Sequence, residues 1–259
     1  MASSVFIRVK AVFRKNLIMI KNISCLFVVG LVALMLVMPS CKKTAEQPSE
    51  STVQPTDPPV AHATDLVPLE IELPKPMFVG TPTNINIENL EKPLGKPRPL
   101  LQVPKGVKLL SLDKPVTSSD DEPIIGDLEQ VDDGDKEGID GSWVELAPGK
   151  QWIQIDLEQP AEIYAIVVWH YHRQGQAYKD VVVQVADDAD FISNVRTLFN
   201  NDIDNSSGLG IGQDKHYVET AEGKLIPAQA VKAQFVRLYS NGNTSNDLNN
   251  YTEVEIFGK

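Results

Sequence analysis

The stretch QWIQIDL, residues 151–157, decides the fold class of this chain. Its apolar residues Ile153, Ile155 and Leu157 alternate with polar ones, which is the period of a β-strand with one buried face. Further short runs rich in Val, Ile, Tyr and Phe follow, separated by clusters of Gly, Asn and Asp. These runs predict strands at residues 152–157, 163–169, 181–186, 197–199, 234–239 and 252–257.

Helical periodicity is missing between these runs, since no stretch of ten or more residues combines the helical period with capping residues. Short strands without βαβ crossovers favour an antiparallel sandwich. About 150 residues suffice for one two-sheet core. We therefore predict that residues 109–259 form a single all-β domain, an antiparallel β-sandwich.

The N-terminus has the layout of an export signal. Residues 1–41 carry five basic side chains and no acidic one, and the run 23–38, ISCLFVVGLVALMLVM, has no charge. The run is followed by Cys41 and resembles the lipobox of bacterial lipoproteins, in which the cysteine is lipidated and becomes the first residue. This resemblance implies lipidation at Cys41 and an exported, membrane-anchored protein, periplasmic or on the outer membrane or cell surface. A plain cleaved signal or an uncleaved anchor is the alternative, and Met19 is an alternative start to Met1.

A Pro-rich linker is predicted for residues 42–108. Residues 42–65 are rich in Pro, Ser, Thr and charge, a composition that favours a disordered tether. Residues 66–108 contain apolar clusters interrupted by prolines, which exclude long helices and central strands. We expect extended segments there, lying against the domain or against a partner.

Charge and cysteine content exclude several classes of function. Residues 109–259 carry 11 basic and 27 acidic side chains, a net charge of −16, which repels nucleic acid. The chain has two cysteines, Cys25 and Cys41, both in or beside the apolar run, so the domain has neither a disulfide scaffold nor a cysteine zinc site. The enzymatic motifs G-x-S-x-G and H-E-x-x-H are absent, and no motif places paired carboxylates, so no enzyme activity is expected.

A family resemblance runs through the whole domain. Residues 112–119, LDKPVTSS, resemble the opening of discoidin (F5/8 type C) domains, and residues 152–157 resemble their W-x-x-x-D-L-G segment, with Glu158 in the place of the glycine. Residues 235–239, FVRLY, and 253–258, EVEIFG, resemble the closing segments. The resemblance implies a galactose-binding-domain-like jelly roll that binds carbohydrates, lipids or proteins without catalysis.

An acidic segment, residues 132–140, predicts a calcium site. Calcium needs six to eight oxygen ligands on a backbone that turns sharply, and alternating Asp and Gly supply both. In the carbohydrate-binding members that the domain resembles, calcium joins this loop to a glutamate near the C-terminus. The implied ligands of a structural calcium are Gln130 and Thr252 through their carbonyls, and Asp133, Asp135, Asp140 and Glu253. An acidic solvated loop is the alternative.

A second candidate site follows residue 169, where aromatic, histidine and arginine side chains gather in one loop. Aromatic rings stack on sugar faces, while His and Arg donate to hydroxyls or carboxylates. Two polar stretches, residues 200–212 and 241–246, add amides and hydroxyls suited to sugars. A structural loop, or a metal site with His216 as third ligand, is the alternative. The expected ligand-binding residues are His170, Tyr171, His172, Arg173, Tyr178 and Asn243.

Together these features predict a non-catalytic binding protein tethered to the cell envelope. Its expected partners are a carbohydrate and, through the lipid anchor, a membrane. The alternative is a protein–protein interaction or adhesion module that binds another envelope protein, with segment 66–108 docking on it as an extended strand.

Overall fold

A computed structural model describes residues 65–78, 82, 85–139 and 141–259. Its ten strands are antiparallel to their neighbours, and the other regular element of the described residues is a short 3-10 helix, Leu128–Val131. The strands are β1 Leu66–Pro68, β2 Gln102–Pro104, β3 Lys108–Leu109, β4 Val116–Ser118, β5 Val144–Leu146, β6 Gln151–His170, β7 Val182–Ala186, β8 Arg196–Asn200, β9 Lys224–Ser240 and β10 Asn249–Gly258. The predicted all-β antiparallel sandwich is confirmed, and the two strands predicted at residues 152–157 and 163–169 are parts of one strand, β6.

Two long strands, β6 and β9, run through both layers of the sandwich. Their register shifts between Asp156 and Ala161 and again between Ile163 and Ala165. Glu158 lies at the first shift with φ of 66°, a left-handed conformation that glycine adopts most easily. This explains why the resembled family has glycine at that position.

Each half of β6 therefore belongs to a different layer. Layer A contains β4, the first half of β6, the second half of β9, β7 and β8. Layer B contains β3, β5, β10, the second half of β6 and the first half of β9.

The core lies between the two layers. Ile153 of layer A and Ile166 and Val254 of layer B are fully buried in one apolar cluster. Because side chains alternate along a strand, the neighbouring residues point to the outer faces of the layers. Gln154 is one of these, yet it is buried, because the Arg237 guanidinium lies over it and donates to its Oε1 from Nε at 2.8 Å. Gln154 is thus covered rather than solvated.

The outer face of layer B is covered by the described residues between 65 and 107, which we call the arm. Leu69 and Val103 of the arm pack with Val167, Trp169 and Phe257 in a second apolar cluster. Within the arm, β1 pairs with β2. The arm therefore consists of extended segments on its own domain, as the alternation of apolar residues and prolines predicts, and its described residues belong to the same compact unit as the sandwich.

The predicted signal segment and Cys41, together with residues 42–64, lie outside the described residues. In the part of the chain that the structure describes, no helix is long and apolar enough to cross a membrane.

Candidate functional site

Three loops meet at one end of the sandwich, where β6 and β9 end and β7 and β10 begin. Lys179, before β7, exchanges two backbone hydrogen bonds with the segment after β9: its N–H donates to the Gly242 carbonyl and its carbonyl accepts from Asn241, both at 2.9 Å. Asn201, after β8, donates from its backbone N–H to the Val181 carbonyl at 3.1 Å. We call this edge of the domain the loop end.

An open cleft of about 400 Å³ lies at the loop end, and we call it the polar cleft. Ten residues line it, of which eight are polar or charged. They are Ile87, Glu88, Lys179, Asp180, Ile203, Asp204, Ser206, His216, Asn241 and Asp247. The cleft thus unites the two polar stretches 200–212 and 241–246 with segments from other parts of the chain.

Three aspartates on this side of the domain form an acidic cluster. One carboxylate oxygen each of Asp180, Asp202 and Asp204 lies within 4.8 Å of the others, which is close enough to hold a metal ion. Asp180 Oδ2 accepts hydrogen bonds from Ser206 Oγ at 2.7 Å and from Asn241 Nδ2 at 2.8 Å. The cluster is therefore already held together by hydroxyl and amide donors.

Asp202 is the buried member of this cluster. Burial by itself would raise the pKa of Asp202, but hydrogen bonds from Ser207 and Ser206 favour the charged carboxylate and lower that pKa below its usual value. The carboxylate of Asp202 is thus ionised at neutral pH and fixes the turn that carries Asp204.

His170, expected to bind ligand, is instead fully buried. Its Nδ1 lies 2.6 Å from Glu219 Oε1, and its ring stacks on that of Tyr178 at 4.2 Å between centroids. Tyr178 is 1% exposed and donates from its hydroxyl to Asn250 Oδ1 at 2.9 Å. Burial keeps both side chains from an external ligand, and their role is corrected to holding the loop in place.

His172 and Asn243 are buried as well. His172 Nε2 lies 2.7 Å from the Lys136 carbonyl, which ties its loop to the acidic segment. Asn243 uses its side chain to close its own turn, donating from Nδ2 to Leu248 O at 3.0 Å. These contacts make both residues internal braces, which corrects the expected ligand contact.

Tyr171 and Arg173 are the two expected ligand residues that stay partly exposed at the loop end. The Tyr171 ring lies 5.1 Å from the ring of Trp143, at an angle of 53°. Trp143 is also partly exposed, so the two rings form an aromatic pair that a flat apolar surface can contact.

The residues of the expected calcium site are brought together only in part. Glu253 is 1% exposed and its Oε2 accepts from the Gly134 N–H at 3.1 Å, so the acidic loop does meet the last strand. Burial raises the pKa of the Glu253 carboxyl to about 9. Asp133 and Asp135 are exposed and accept from backbone N–H groups two residues onward.

Of the three remaining residues expected to bind calcium, the structure describes two. Gln130 uses its side chain to hold the turn before the 3-10 helix, accepting from the Asp127 N–H at 2.9 Å. Thr252 is fully buried in β10. Asp140 lies outside the described residues. Within the described residues, the acidic cluster at Asp180 is a different site from this one.

Sequence reasoning missed several residues of the polar cleft. Asp180 and Lys179 precede a strand without a recognisable motif, and Glu88 lies in the Pro-rich segment. The local signals were the polar stretches 200–212 and 241–246, which contain Asp204, Ser206 and Asn241 of the cleft.

Among curated proteins, none matches this chain. A chitosan-binding module of a chitosanase/glucanase from Paenibacillus sp. IK-5 is 19% identical, covers 58% of this chain and 99% of its own, and has a TM-score of 0.43. A fucose-binding module from Streptococcus pneumoniae is 17% identical, with 57% and 96% covered and a TM-score of 0.42. A family 89 glycoside hydrolase from Clostridium perfringens is 19% identical over 58% of this chain but only 14% of that enzyme, with a TM-score of 0.43.

A protein-family model also matches this chain, over the segment from the 3-10 helix to β9. Residues 130–238 match the family model described as a NedA-like, galactose-binding domain of the F5/8 type C group.

Proposed function

We propose that this protein is a non-catalytic carbohydrate-binding protein whose ligand lies at the loop end of the sandwich. The observation that carries the proposal is the polar cleft, a concave site of about 400 Å³ lined by carboxylates, an amide, a hydroxyl and a lysine. Sugars present many hydroxyls, each both donor and acceptor, and such a lining can pair with them. The family match over residues 130–238 points to the same class of ligand.

The aromatic pair adds the second element of sugar recognition. Tyr171 and Trp143 are partly exposed at the loop end, and so is Arg173, two residues after Tyr171. Rings provide rigid apolar area for the C–H face of a sugar, and the polar groups then fix its orientation.

A glycan array followed by affinity electrophoresis of the intact protein in polysaccharide gels tests the proposal. We expect retardation by at least one polysaccharide, and loss of that retardation in Tyr171→Ala. Lys232→Ala, a substitution of an exposed residue paired with Glu162 far from the loop end, serves as control. Migration unaffected by every polysaccharide, with no binding on the array, would contradict carbohydrate binding and favour the protein–protein alternative.

A structural calcium ion is the second part of the proposal. Glu253 and Glu255 are both buried on one side of β10, and Lys136 is the lysine that pairs with Glu255, at 2.5 Å. Glu253 receives one hydrogen bond among the described residues, from Gly134, and Glu255 Oε2 has no partner there. Burial raises the pKa of the Glu253 carboxyl to about 9, and a cation held beside it would favour the charged form, so a buried carboxyl next to the acidic loop fits a bound cation.

In this proposal Glu253 and Asp133 hold the ion, with the Gln130 and Thr252 carbonyls, Asp135 and Asp140 as the further oxygens implied by the resemblance. Calcium would supply positive charge and join the acidic loop to the last strand. It would take no part in catalysis.

Tethering to the envelope is the third part. It rests on the sequence of the first 41 residues, with Cys41 as the lipidated residue. A lipid anchor would place the domain at a membrane surface, with residues 42–64 as the spacer between them.

A further inference from the structure

A basic segment, residues 92–108, spans the end of the arm and the start of β3. It reads KPLGKPRPLLQVPKGVK and contains five basic residues and no acidic residue, a net charge of +5. Residues 109–259, by contrast, carry 11 basic and 27 acidic side chains, a net charge of −16. Positive charge is therefore concentrated on the arm, while the sandwich beneath it is acidic.

The four lysines of the basic segment are exposed, and within the described residues none of them forms an ion pair. They are Lys92, Lys96, Lys105 and Lys108. The adjoining part of the arm, residues 65–78, contains three acidic residues and one lysine, a net charge of −2. The two parts together thus keep a net charge of +3, and the lysine ammonium groups are available to an external partner.

The same part of the arm exposes large apolar side chains. Leu94 and Leu100 of the basic segment are 62% and 63% exposed, and Leu66 and Leu73 are 57% and 48% exposed. A single exposed leucine is ordinary on a protein surface, whereas several in one region indicate a contact surface.

The pairing of β1 with β2 shows which way two of these leucines point. The Leu69 N–H donates to the Leu101 carbonyl at 2.8 Å, which continues the antiparallel ladder beyond the two strands. Leu69 and Val103 pack inward against layer B. Because side chains alternate along an extended segment, Leu66, three residues before Leu69, and Leu100, three residues before Val103, point outward. We call this side the outer face of the arm.

An apolar recess of about 120 Å³ adjoins the outer face. Leucines, prolines and an isoleucine of the arm line most of it, among them Leu73 and Leu100, with Leu225 of β9. Arg98 and Glu222 are the charged residues of the lining, and Arg98 is held by donating from Nη1 to the Gly223 carbonyl at 2.8 Å. The outer face thus combines apolar area with lysines around it.

We propose that the outer face of the arm is a contact surface for a lipid bilayer with anionic headgroups. The leucines enter the boundary between headgroups and acyl chains, and the lysines bind the lipid phosphates. The acidic sandwich is repelled by the same bilayer, so its charge orients the domain with the arm toward the lipid.

This inference goes beyond the proposed tethering, because it names the face of the folded domain that meets the lipid. It rests on that proposal for the presence of a membrane nearby, since the arm directly follows residues 42–64, the proposed spacer. A soluble acidic polymer would complement the lysines alone and would leave the exposed leucines without a role. The leucines therefore favour lipid over such a polymer.

The test uses the full chain with Cys25→Ser and Cys41→Ser and with one new cysteine that carries an environment-sensitive fluorophore. The new cysteine is Leu100→Cys in one protein. In the matched control it is Ile192→Cys, since Ile192 is 80% exposed in the turn between β7 and β8. The N-terminal segment is the same in both proteins, so a difference between them reports the face that meets the lipid.

We expect the fluorophore at position 100 to shift to the blue and to brighten about twofold with vesicles of phosphatidylcholine and phosphatidylglycerol, because it leaves water. Vesicles of phosphatidylcholine alone should give no shift, and high salt should abolish the shift with the anionic vesicles. The fluorophore at position 192 should not respond to either kind of vesicle.

Charge reversal tests the role of the lysines. Lys96→Glu together with Lys105→Glu should abolish the shift at position 100. Lys215→Glu together with Lys232→Glu changes the net charge by the same amount at exposed positions of the sandwich and should leave the shift in place.

Several results would overturn the inference: no shift at position 100, equal shifts at positions 100 and 192, or equal losses in the two charge-reversed proteins. A shift with soluble polyglutamate but not with vesicles would make the arm a site for an acidic polymer instead. Because these proteins lack Cys41 and no glycan is present, none of these outcomes decides whether the proposed carbohydrate binding or lipid anchor is correct.

Discussion

His170 and Glu219 form a fully buried pair directly beneath the loop end, with His170 Nδ1 and Glu219 Oε1 separated by 2.6 Å. Removing one partner of such a pair leaves a polar or charged group buried without compensation. The Glu219 backbone N–H also donates to the Gln176 carbonyl at 2.8 Å, so the pair anchors residues 170–176.

We expect Glu219→Ala to lower the free energy of unfolding by about 3–5 kcal/mol. Urea unfolding at constant m-value measures this change. The matched control is Asp187→Asn, whose partner Arg196 lies 3.7 Å away in an exposed pair, and it should change stability by less than about 1 kcal/mol. Equal effects in both variants would show that the buried pair contributes no more than a surface pair.

Two tyrosines in one loop separate binding from stability. Tyr171 is partly exposed beside Trp143, whereas Tyr178 is buried with its hydroxyl on Asn250. We expect Tyr171→Ala to weaken glycan binding by about 1–3 kcal/mol with little change in melting temperature. Tyr178→Phe should instead cost about 1–2 kcal/mol of stability. Calorimetry measures the glycan affinity, and thermal melts measure the stability. If Tyr171→Ala unfolded the domain, the role of Tyr171 would be structural.

At the scale of elements, the alternation of side chains located the strands but not their lengths. Residues 152–157 and 163–169 were expected as two strands, and β6 contains both because Glu158 adopts a left-handed backbone and the chain continues in the second layer. The first half of β9 has no sequence signal, since Pro227 and the alanines that follow it, Ala228 and Ala230, hide the strand pattern.

The arm is an element whose composition predicts its extended form but not its function. Prolines exclude helices and central strands there, yet which face of the sheet the leucines cover depends on contacts far along the chain. Leu69 is 6% exposed and packs near Trp169, while Leu66, three residues earlier, is 57% exposed. These two leucines provide a matched pair.

We expect Leu69→Ala to destabilise the domain by about 2–5 kcal/mol, because it removes buried methyl groups and leaves a cavity over layer B. Leu66→Ala should change stability by less than about 0.5 kcal/mol. Chemical unfolding followed by tryptophan fluorescence gives both values. If the two substitutions were equally mild, the arm would be a dispensable cover rather than part of the fold.

At the scale of the whole molecule, the candidate site is an assembly of distant segments. Asp180 and Asn241, joined at 2.8 Å, are 61 residues apart, and Glu88 and His216 are separated by 128. Single polar stretches of this kind occur in any surface loop, so sequence alone suggested amide-rich loops without their meeting point. The burial of His170 and Tyr178 could not be predicted either, because a side chain at the end of a strand or in the loop after it can point inward or outward.

The proposed membrane anchoring rests on the N-terminal segment. We expect metabolic labelling with a lipid precursor to depend on Cys41, since it is the cysteine at the end of the apolar run. Cys41→Ala should abolish labelling and leave an unprocessed precursor, whereas Cys25→Ala should retain labelling. Labelled Cys41→Ala protein would exclude the lipid anchor.

Calcium, if bound, acts on the whole domain, because Gly134 and Glu253 are 119 residues apart in the chain. An ion that binds only the folded state stabilises it by an amount that grows with free ion concentration. We therefore expect chelation to lower the melting temperature and millimolar calcium to raise it. Glu253→Gln should abolish the calcium response, because it replaces the buried carboxylate with a neutral amide of the same shape.

The control for this experiment comes from the other acidic cluster. Asp204→Asn removes a carboxylate near Asp180 but leaves Glu253 in place, so its melting temperature should respond to calcium as the unaltered protein does. A response lost in Asp204→Asn and kept in Glu253→Gln would move the ion to the polar cleft. A melting temperature indifferent to both chelator and calcium would mean that no ion binds, with Lys136 paired to Glu255 at 2.5 Å and the Glu253 carboxyl kept neutral by its raised pKa.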